Sequence, residues 1–234
     1  MSARPLEASR VLHLDDDICI VDKPDGLLSV DAPGQRPTLV ARLAATLRSR
    51  GVSAELLPVH RLDEGTSGAL LLARHDLARK RLIAQFKRHE VERVYYALVL
   101  GSPYPLDGSL SSRLREDARG MVRVVASGGR QAVTHYRTLA RLSGFSLVAC
   151  RLDTGRRNQI RVQLADVGCP VLGDRKYGRG DPRFGKLPAP RTMLHATGIS
   201  LKHPLSRKPL VVVAPLPEDF RQRIGDGLAR RLTP

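Results

Sequence analysis

The sequence predicts an α+β protein built mainly of strands. Short runs rich in β-branched and aromatic residues recur along it, and two of them, AVTHYRTLARL (132–142) and FSLVACRL (145–152), are split by Ser143-Gly144 as a hairpin is. Two stretches with helical apolar spacing, 38–50 and 76–90, stand among them. Strands following one another in this way argue against a regular βαβ winding. No segment has a linker's composition over enough length to divide two cores, so one domain over 1–234 is expected.

In chain order, ICIVDK (18–23) reads as a strand stopped by Pro24 and Gly26. In 38–50, Leu39, Val40, Leu43 and Leu47 share a helix face, with Thr38 as cap and Gly51 as stop. ALLLA (69–73) is a buried strand, and 76–90 is an amphipathic helix capped by Asp76. RVYYALVLG (93–101) is a strand. Residues 102–131, rich in Gly, Ser and Arg, read mostly as turns. After the hairpin, 157–168 reads as a helix ended by Gly168, and 178–191 as a Gly/Pro/basic loop. TMLHATGISLKHP and LVVVAP are closing strands, and one helix over about 217–232 ends the chain.

Charge narrows the function. The 234 residues hold 39 Lys+Arg against 23 Asp+Glu, a net +16, which suits a polyanionic partner. No apolar run is long enough to span a membrane and no secretory signal core is present. The three cysteines, Cys19, Cys150 and Cys169, are far apart, form no CxxC pair and sit among apolar residues. They read as core residues in a reducing cytoplasm, not as a zinc ribbon or a disulfide framework.

Two constellations can carry chemistry. In HRLDEGTSGALLLA, Asp63 has His60, Arg61, Thr66 and Ser67 as nearby donors, and Gly65 and Gly68 permit a tight bend. A catalytic carboxylate at a strand mouth and a turn Asp capping its own loop are equally compatible with this spacing. In DTGRRNQIRVQLADVGCPVLGDRKYG, Arg157 and Arg161 share a helix face, either as partners for a buried carboxylate or as a solvated basic face.

Together these stretches resemble the RluA-like pseudouridine synthases. HRLDEGTSG is similar to that family's His-Arg-Leu-Asp, two residues, Thr-Ser-Gly signature. DDDICIVDKPDGLLSV resembles its opening strand and Lys-Pro-x-Gly turn. RVYYALVLG resembles its basic-x-Tyr-x-Ala strand, which selects Tyr95 over Tyr96. TGRRNQIRVQLADVGCPVLGDRKYG resembles its Thr-Gly-Arg…Gln-Ile-Arg helix and Gly-Asp…Tyr-Gly turn, and LHATGISLKHP its closing strand. The five motifs run in order over roughly residues 12–217.

The resemblance implies a pseudouridine synthase fold, with a long, mixed, mostly antiparallel sheet, flanking helices and a central basic cleft. It implies an enzyme that flips a uridine out of structured ribosomal or transfer RNA and isomerises it, with no metal or other cofactor. It implies that Asp63 is the catalytic carboxylate, acting as nucleophile at C1′ or base at C2′. Arg161 then pairs with that acid, Tyr95 packs on the target base and assists proton transfer, and Ile160 lines the pocket. Arg61 enters the RNA stack, Thr66 is a substrate- or RNA-binding donor beside Asp63, and Lys23 is either a phosphate contact or a plain surface lysine. His60 shapes the Asp63 loop by hydrogen bonding. A monomer without an S4-like module is expected, with recognition left to the catalytic domain.

Two positions depart from the family pattern. Asn158 and Gln163 stand where its helix usually has histidines. They leave open a catalytically silent RNA-binding protein on the same scaffold. A carboxylate-based glycosidase would need a second acid opposite the first, and Glu64 is adjacent in sequence.

Overall fold

A computed structural model describes residues 6–7, 10–30, 38–53 and 55–232. They form two compact units, the described residues up to 92 with 196–215, and 93–195 with 216–232. The fold is α+β, as the strand-dominated pattern predicts.

In the first unit, β1 (Val11–Leu14) pairs with β2 (Ile18–Lys23), and β2 with β4 (Ser67–Ala73). β4 neighbours β10 (Leu194–Lys202), which pairs with β11 (Pro209–Val213). The short β3 (Leu57–Pro58) pairs with the far end of β4. Every residue of β4 is buried, which explains why its sequence is a continuous apolar run without alternation. Ile18, Ile20, Leu71, Leu82, Ile199 and Leu201 belong to one core cluster beneath this sheet.

Helix α1 (Leu39–Arg48) begins where its cap was expected, with Thr38 Oγ1 accepting from the Ala41 amide, but its C-cap is Ser49, and Gly51, φ +72°, lies in the turn that follows. Helix α2 (Asp76–Lys87) corrects the expected cap. His75 Nδ1 accepts the Ala78 N–H at 3.3 Å, so Asp76 lies inside the first turn, where its charge favours the helix dipole.

Gly68 is the position in this unit that no other residue can fill. Its φ is +111°, and a Cβ there would lie 2.2 Å from the Ala196 carbonyl oxygen. The backbones of β4 and β10 approach too closely for a side chain. Gly68→Ala is therefore expected to cost more than about 3 kcal/mol, through backbone strain and overpacking together, measured by urea denaturation. A cost under about 1 kcal/mol would show that the strands separate easily.

In the second unit the strand order is β5 (Glu92–Leu100), β9 (Phe145–Leu152), β8 (Arg130–Arg141), β6 (Asp107–Glu116), β7 (Val122–Val125). The pairs β1–β2, β2–β4, β3–β4, β10–β11, β5–β9, β8–β9, β6–β8 and β6–β7 are antiparallel. The hairpin of β8 and β9 turns at Gly144, φ +82°, as its Ser-Gly signal predicts. Residues 102–131 are not mostly turns: they hold β6 and β7. β6 carries Ser109, Ser111 and Ser112 and little apolar surface, so its strand character comes from pairing with β8 on one side and β7 on the other.

Helix α3 (Gln159–Asp166) is shorter than the expected 157–168, because Asn158 sits at φ 55°, outside helical space. The C-terminal segment is two helices, α4 (Glu218–Ile224) and α5 (Asp226–Leu232), not one. Gly225, φ +79°, breaks them apart.

Candidate active site

In the first unit the loop from His60 to Gly68 is fastened at each flank. The Leu71 amide donates to His60 Nε2 at 3.0 Å, so the ring is a neutral acceptor bound to the backbone of β4, stacked near Phe86. This is the loop-shaping role expected of His60. Buried Ser29 clamps Leu62 twice, donating to its carbonyl at 2.7 Å and accepting from its amide at 3.1 Å. The Thr66 amide donates to the Asp63 carbonyl at 3.0 Å and closes the turn. Thr66 is buried, Asp63 half-buried, and Arg61 exposed.

Lys23 requires a correction. It is fully buried, and its ammonium donates to the carbonyls of Pro24 (2.9 Å), Leu27 (2.7 Å) and Glu64 (3.1 Å). A group so placed is neither a surface lysine nor available to an RNA phosphate. It joins the Lys-Pro-x-Gly turn to the residue after Asp63. Lys23→Met keeps the volume but leaves those carbonyls without the ammonium, and is expected to cost roughly 2–4 kcal/mol in chemical denaturation. An unchanged midpoint would mean that the tie contributes nothing.

In the second unit α3 carries Ile160 and Arg161. The Arg161 guanidinium grips Asp174 with two parallel bonds, Nε to Oδ2 and Nη2 to Oδ1, both 2.7 Å, and Nη1 donates to Asn158 Oδ1 at 3.1 Å. Asp174 is fully buried, and its Oδ1 also accepts from the amides of Lys176 and Tyr177. Asp174 was not singled out in the sequence, although GDRKYG was quoted as a motif. Its Gly-Asp is the signal that finds it.

Tyr177 anchors that turn. Its hydroxyl accepts from Asn158 Nδ2 at 2.9 Å, and the Arg161 guanidinium lies 5.3 Å from its ring centre. Burial pushes the Tyr177 hydroxyl up, against the lowering effect of the Asn158 bond. Tyr95, on β5 opposite Cys150, is buried at 6% exposure, and Ile160 at 4%.

The two departures from the family pattern acquire physical reasons. Asn158 is among the few non-glycine residues that tolerate a left-handed backbone, and its amide bridges Tyr177 and Arg161. Gln163 is buried beneath α3. It accepts from Thr134 Oγ1 at 2.7 Å and donates toward the Leu110 and Ala132 carbonyls and Ser112 Oγ. Gln159 adds bonds to Val133 and Thr134. These glutamines fasten α3 to β6 and β8.

Asp15, Asp17 and His203 bring three ligand-type atoms within 4.8 Å of one another. Their hydrogen bonds employ them otherwise. His203 Nδ1 accepts the Ser206 and Leu205 amides, so its proton resides on Nε2, which faces Asp15 at 3.2 Å and Asp17 at 3.5 Å. His75 likewise accepts at Nδ1 and meets Asp17 through Nε2 at 2.8 Å. The imidazoles approach the carboxylates with N–H, not with a lone pair for a cation. The three cysteines are free and buried, and burial pushes the Cys19 and Cys150 thiols up to about 12. No helix among the described residues is long and apolar enough to cross a membrane.

With this geometry in place, the family model described as RNA pseudouridylate synthase matches residues 17–166. The chain belongs to the RNA pseudouridylate synthase family. A protein of Chloroflexus aurantiacus named an uncharacterized RNA pseudouridine synthase is 41% identical over 204 residues, covering 86% of this chain and 63% of that protein. The chain thus spans less than two thirds of that relative. A Zymomonas mobilis protein named ribosomal large subunit pseudouridine synthase D is 37% identical over 229 residues, covering 93% of this chain and 71% of that one. The solved structure of human RNA pseudouridylate synthase domain containing 4 superposes with a TM-score of 0.74 at 25% identity, covering 92% of this chain and 93% of that one. The fold is that of the pseudouridine synthases, and RNA pseudouridylate synthases are isomerases that act on RNA.

Proposed function

We propose that this chain isomerises a specific uridine in structured RNA, ribosomal or transfer, to pseudouridine, acting in the cytoplasm as a monomeric, single catalytic domain. The observation that carries the reading is the Asp63 loop. A family signature folds into a turn held on both sides by backbone bonds through His60, Ser29, Thr66 and Lys23, which fixes where the carboxylate leaves the chain.

In the reaction the C1′–N1 bond breaks, the uracil rotates, and C5 bonds to C1′. The C5 proton leaves and N1 gains one, so no electrons are lost. Asp63 acts at the ribose, as nucleophile at C1′ or as base at C2′. An arginine has five N–H donors, and Asp174 and Asn158 engage three of those of Arg161. By the family pattern Arg161 is the basic residue that partners the catalytic carboxylate, and that role is proposed for it here. Tyr95 packs against the base and Ile160 supplies apolar wall. Arg61 takes the space the uridine vacates, since a guanidinium plane can stack on bases.

The silent-binder reading drew on Asn158 and Gln163. Both are engaged in packing α3, so neither speaks against catalysis. The test is release of tritium to water from RNA labelled at uridine C5. The wild-type protein is expected to release it from ribosomal or transfer RNA. Tight binding of both without release would overturn the proposal.

A further inference from the structure

The second unit has a basic groove that none of the residues above uses. It encloses about 450 Å³ between the β6–β7 hairpin, the Gly128-Gly129 turn that leads into β8, and the Gly155–Arg157 loop that leads into α3. Arg115, Arg130, Arg156 and Arg157 line it, all exposed, against one acid, Glu116. Four guanidiniums less one carboxylate leave a formal +3.

Their pairing is incomplete. Arg157 meets Glu116 in an ion pair. Arg156 uses only Nε, on the Gln131 carbonyl at 3.1 Å. The guanidiniums of Arg115 and Arg130 have no hydrogen-bond or ion-pair partner among the described residues. A concave surface that keeps unneutralised guanidiniums concentrates positive potential and is built for anions.

Glycines let the turns that carry these arginines pack closely against the rest of the unit. A Cβ on Gly129 would lie 2.8 Å from Val125 Cγ2 and 2.9 Å from the Leu114 carbonyl, and one on Gly155 would lie 2.8 Å from Arg93 Nη1. Three chain segments each contribute an arginine, a spread that suits consecutive phosphates better than one small anion.

We propose that this groove binds the phosphodiester backbone of the substrate RNA at nucleotides other than the flipped uridine. The inference rests on the reading that RNA is the substrate. Phosphate contacts fix register without reading bases. The loop that carries Arg156 and Arg157 runs directly into Asn158 and Arg161, so an RNA held here bears on the segment that positions the Arg161 fork. Glu116 opposes the ligand, both by its own charge and by occupying Arg157.

The test measures affinity of the full chain for a labelled mixed-sequence RNA hairpin by fluorescence anisotropy across a salt series. Arg115→Gln/Arg130→Gln is expected to weaken binding roughly 10-fold and to flatten the salt slope by about 1.5, as loss of two phosphate contacts requires. Glu116→Gln is expected to tighten binding about 2- to 5-fold, a direction that damage to the fold would not produce. Removing the same charge from α5, with Arg230→Gln/Arg231→Gln, should change affinity far less. Equal loss from the α5 variant, or no loss from the groove variant, overturns the proposal. So does displacement of RNA by inorganic phosphate at matched ionic strength, which would mark a small-anion site. If the double arginine variant fails to fold, Glu116→Gln decides alone, and unchanged or weaker binding sinks the idea. Anisotropy needs no turnover, so absence of tritium release would count against the enzymatic reading and leave the groove result standing.

Discussion

Asp63→Asn is expected to abolish release of tritium from uridine-C5-labelled RNA, by at least about 10⁴-fold, while the protein stays folded. The substitution keeps the size of the side chain and removes the charge. An amide neither attacks C1′ nor takes a proton from C2′. The turn should survive, because the bond that closes it runs from the Thr66 amide to the Asp63 backbone carbonyl, not to the side chain. Urea denaturation alongside the assay separates chemistry from folding. Release within about tenfold of wild type would remove Asp63 from the mechanism, since a general-base contribution alone is worth about 10²-fold or more.

The second large effect belongs to Arg161. Arg161→Ala should cost about 3–5 kcal/mol of stability, because it strands the Asp174 carboxylate in a fully buried position. Arg161→Lys should recover little, since an ammonium cannot make two parallel bonds to one carboxylate. Stability and catalysis can be separated by removing both charges. Arg161→Met/Asp174→Asn should regain much of the lost stability, because the amide that replaces the carboxylate still offers an oxygen to the Lys176 and Tyr177 backbone N–H groups. Tritium release should stay lost. A double variant that turns over normally would show that Arg161 serves only the turn at Asp174.

The strands and helices that could be read from the sequence were those specified locally. Thr38 starts α1 with a side-chain cap, Gly51 takes the left-handed turn just after it, and Ser143-Gly144 marks its hairpin, all visible within a few residues. β6 was invisible because its serines carry no apolar alternation, and its register is set by β8, some twenty residues on. His75 displaced Asp76 as cap because its ring also reaches Asp17, 58 positions earlier.

The site divides in the same way. The HRLDEGTSG signature located the Asp63 loop and the backbone-binding role of His60, because both depend on near neighbours. Lys23 looked like a surface residue, and only the fold supplies the Glu64 carbonyl, 41 positions away, that makes its burial tolerable. Arg161 was expected beside an acid, but Asp174 as the holder of its fork emerged only from the turn that follows α3. Asn158 looked like a lost histidine until its φ of 55° gave the reason for an asparagine.

The bidentate grip of Asp174 on Arg161 has an entropic consequence. A loose arginine has roughly 2 kcal/mol of rotamer freedom to surrender. Here that surrender occurs once, when the polypeptide folds, and is not repeated at every encounter with RNA. The guanidinium therefore keeps a fixed pose, and its orientation should vary little with temperature until the protein itself melts.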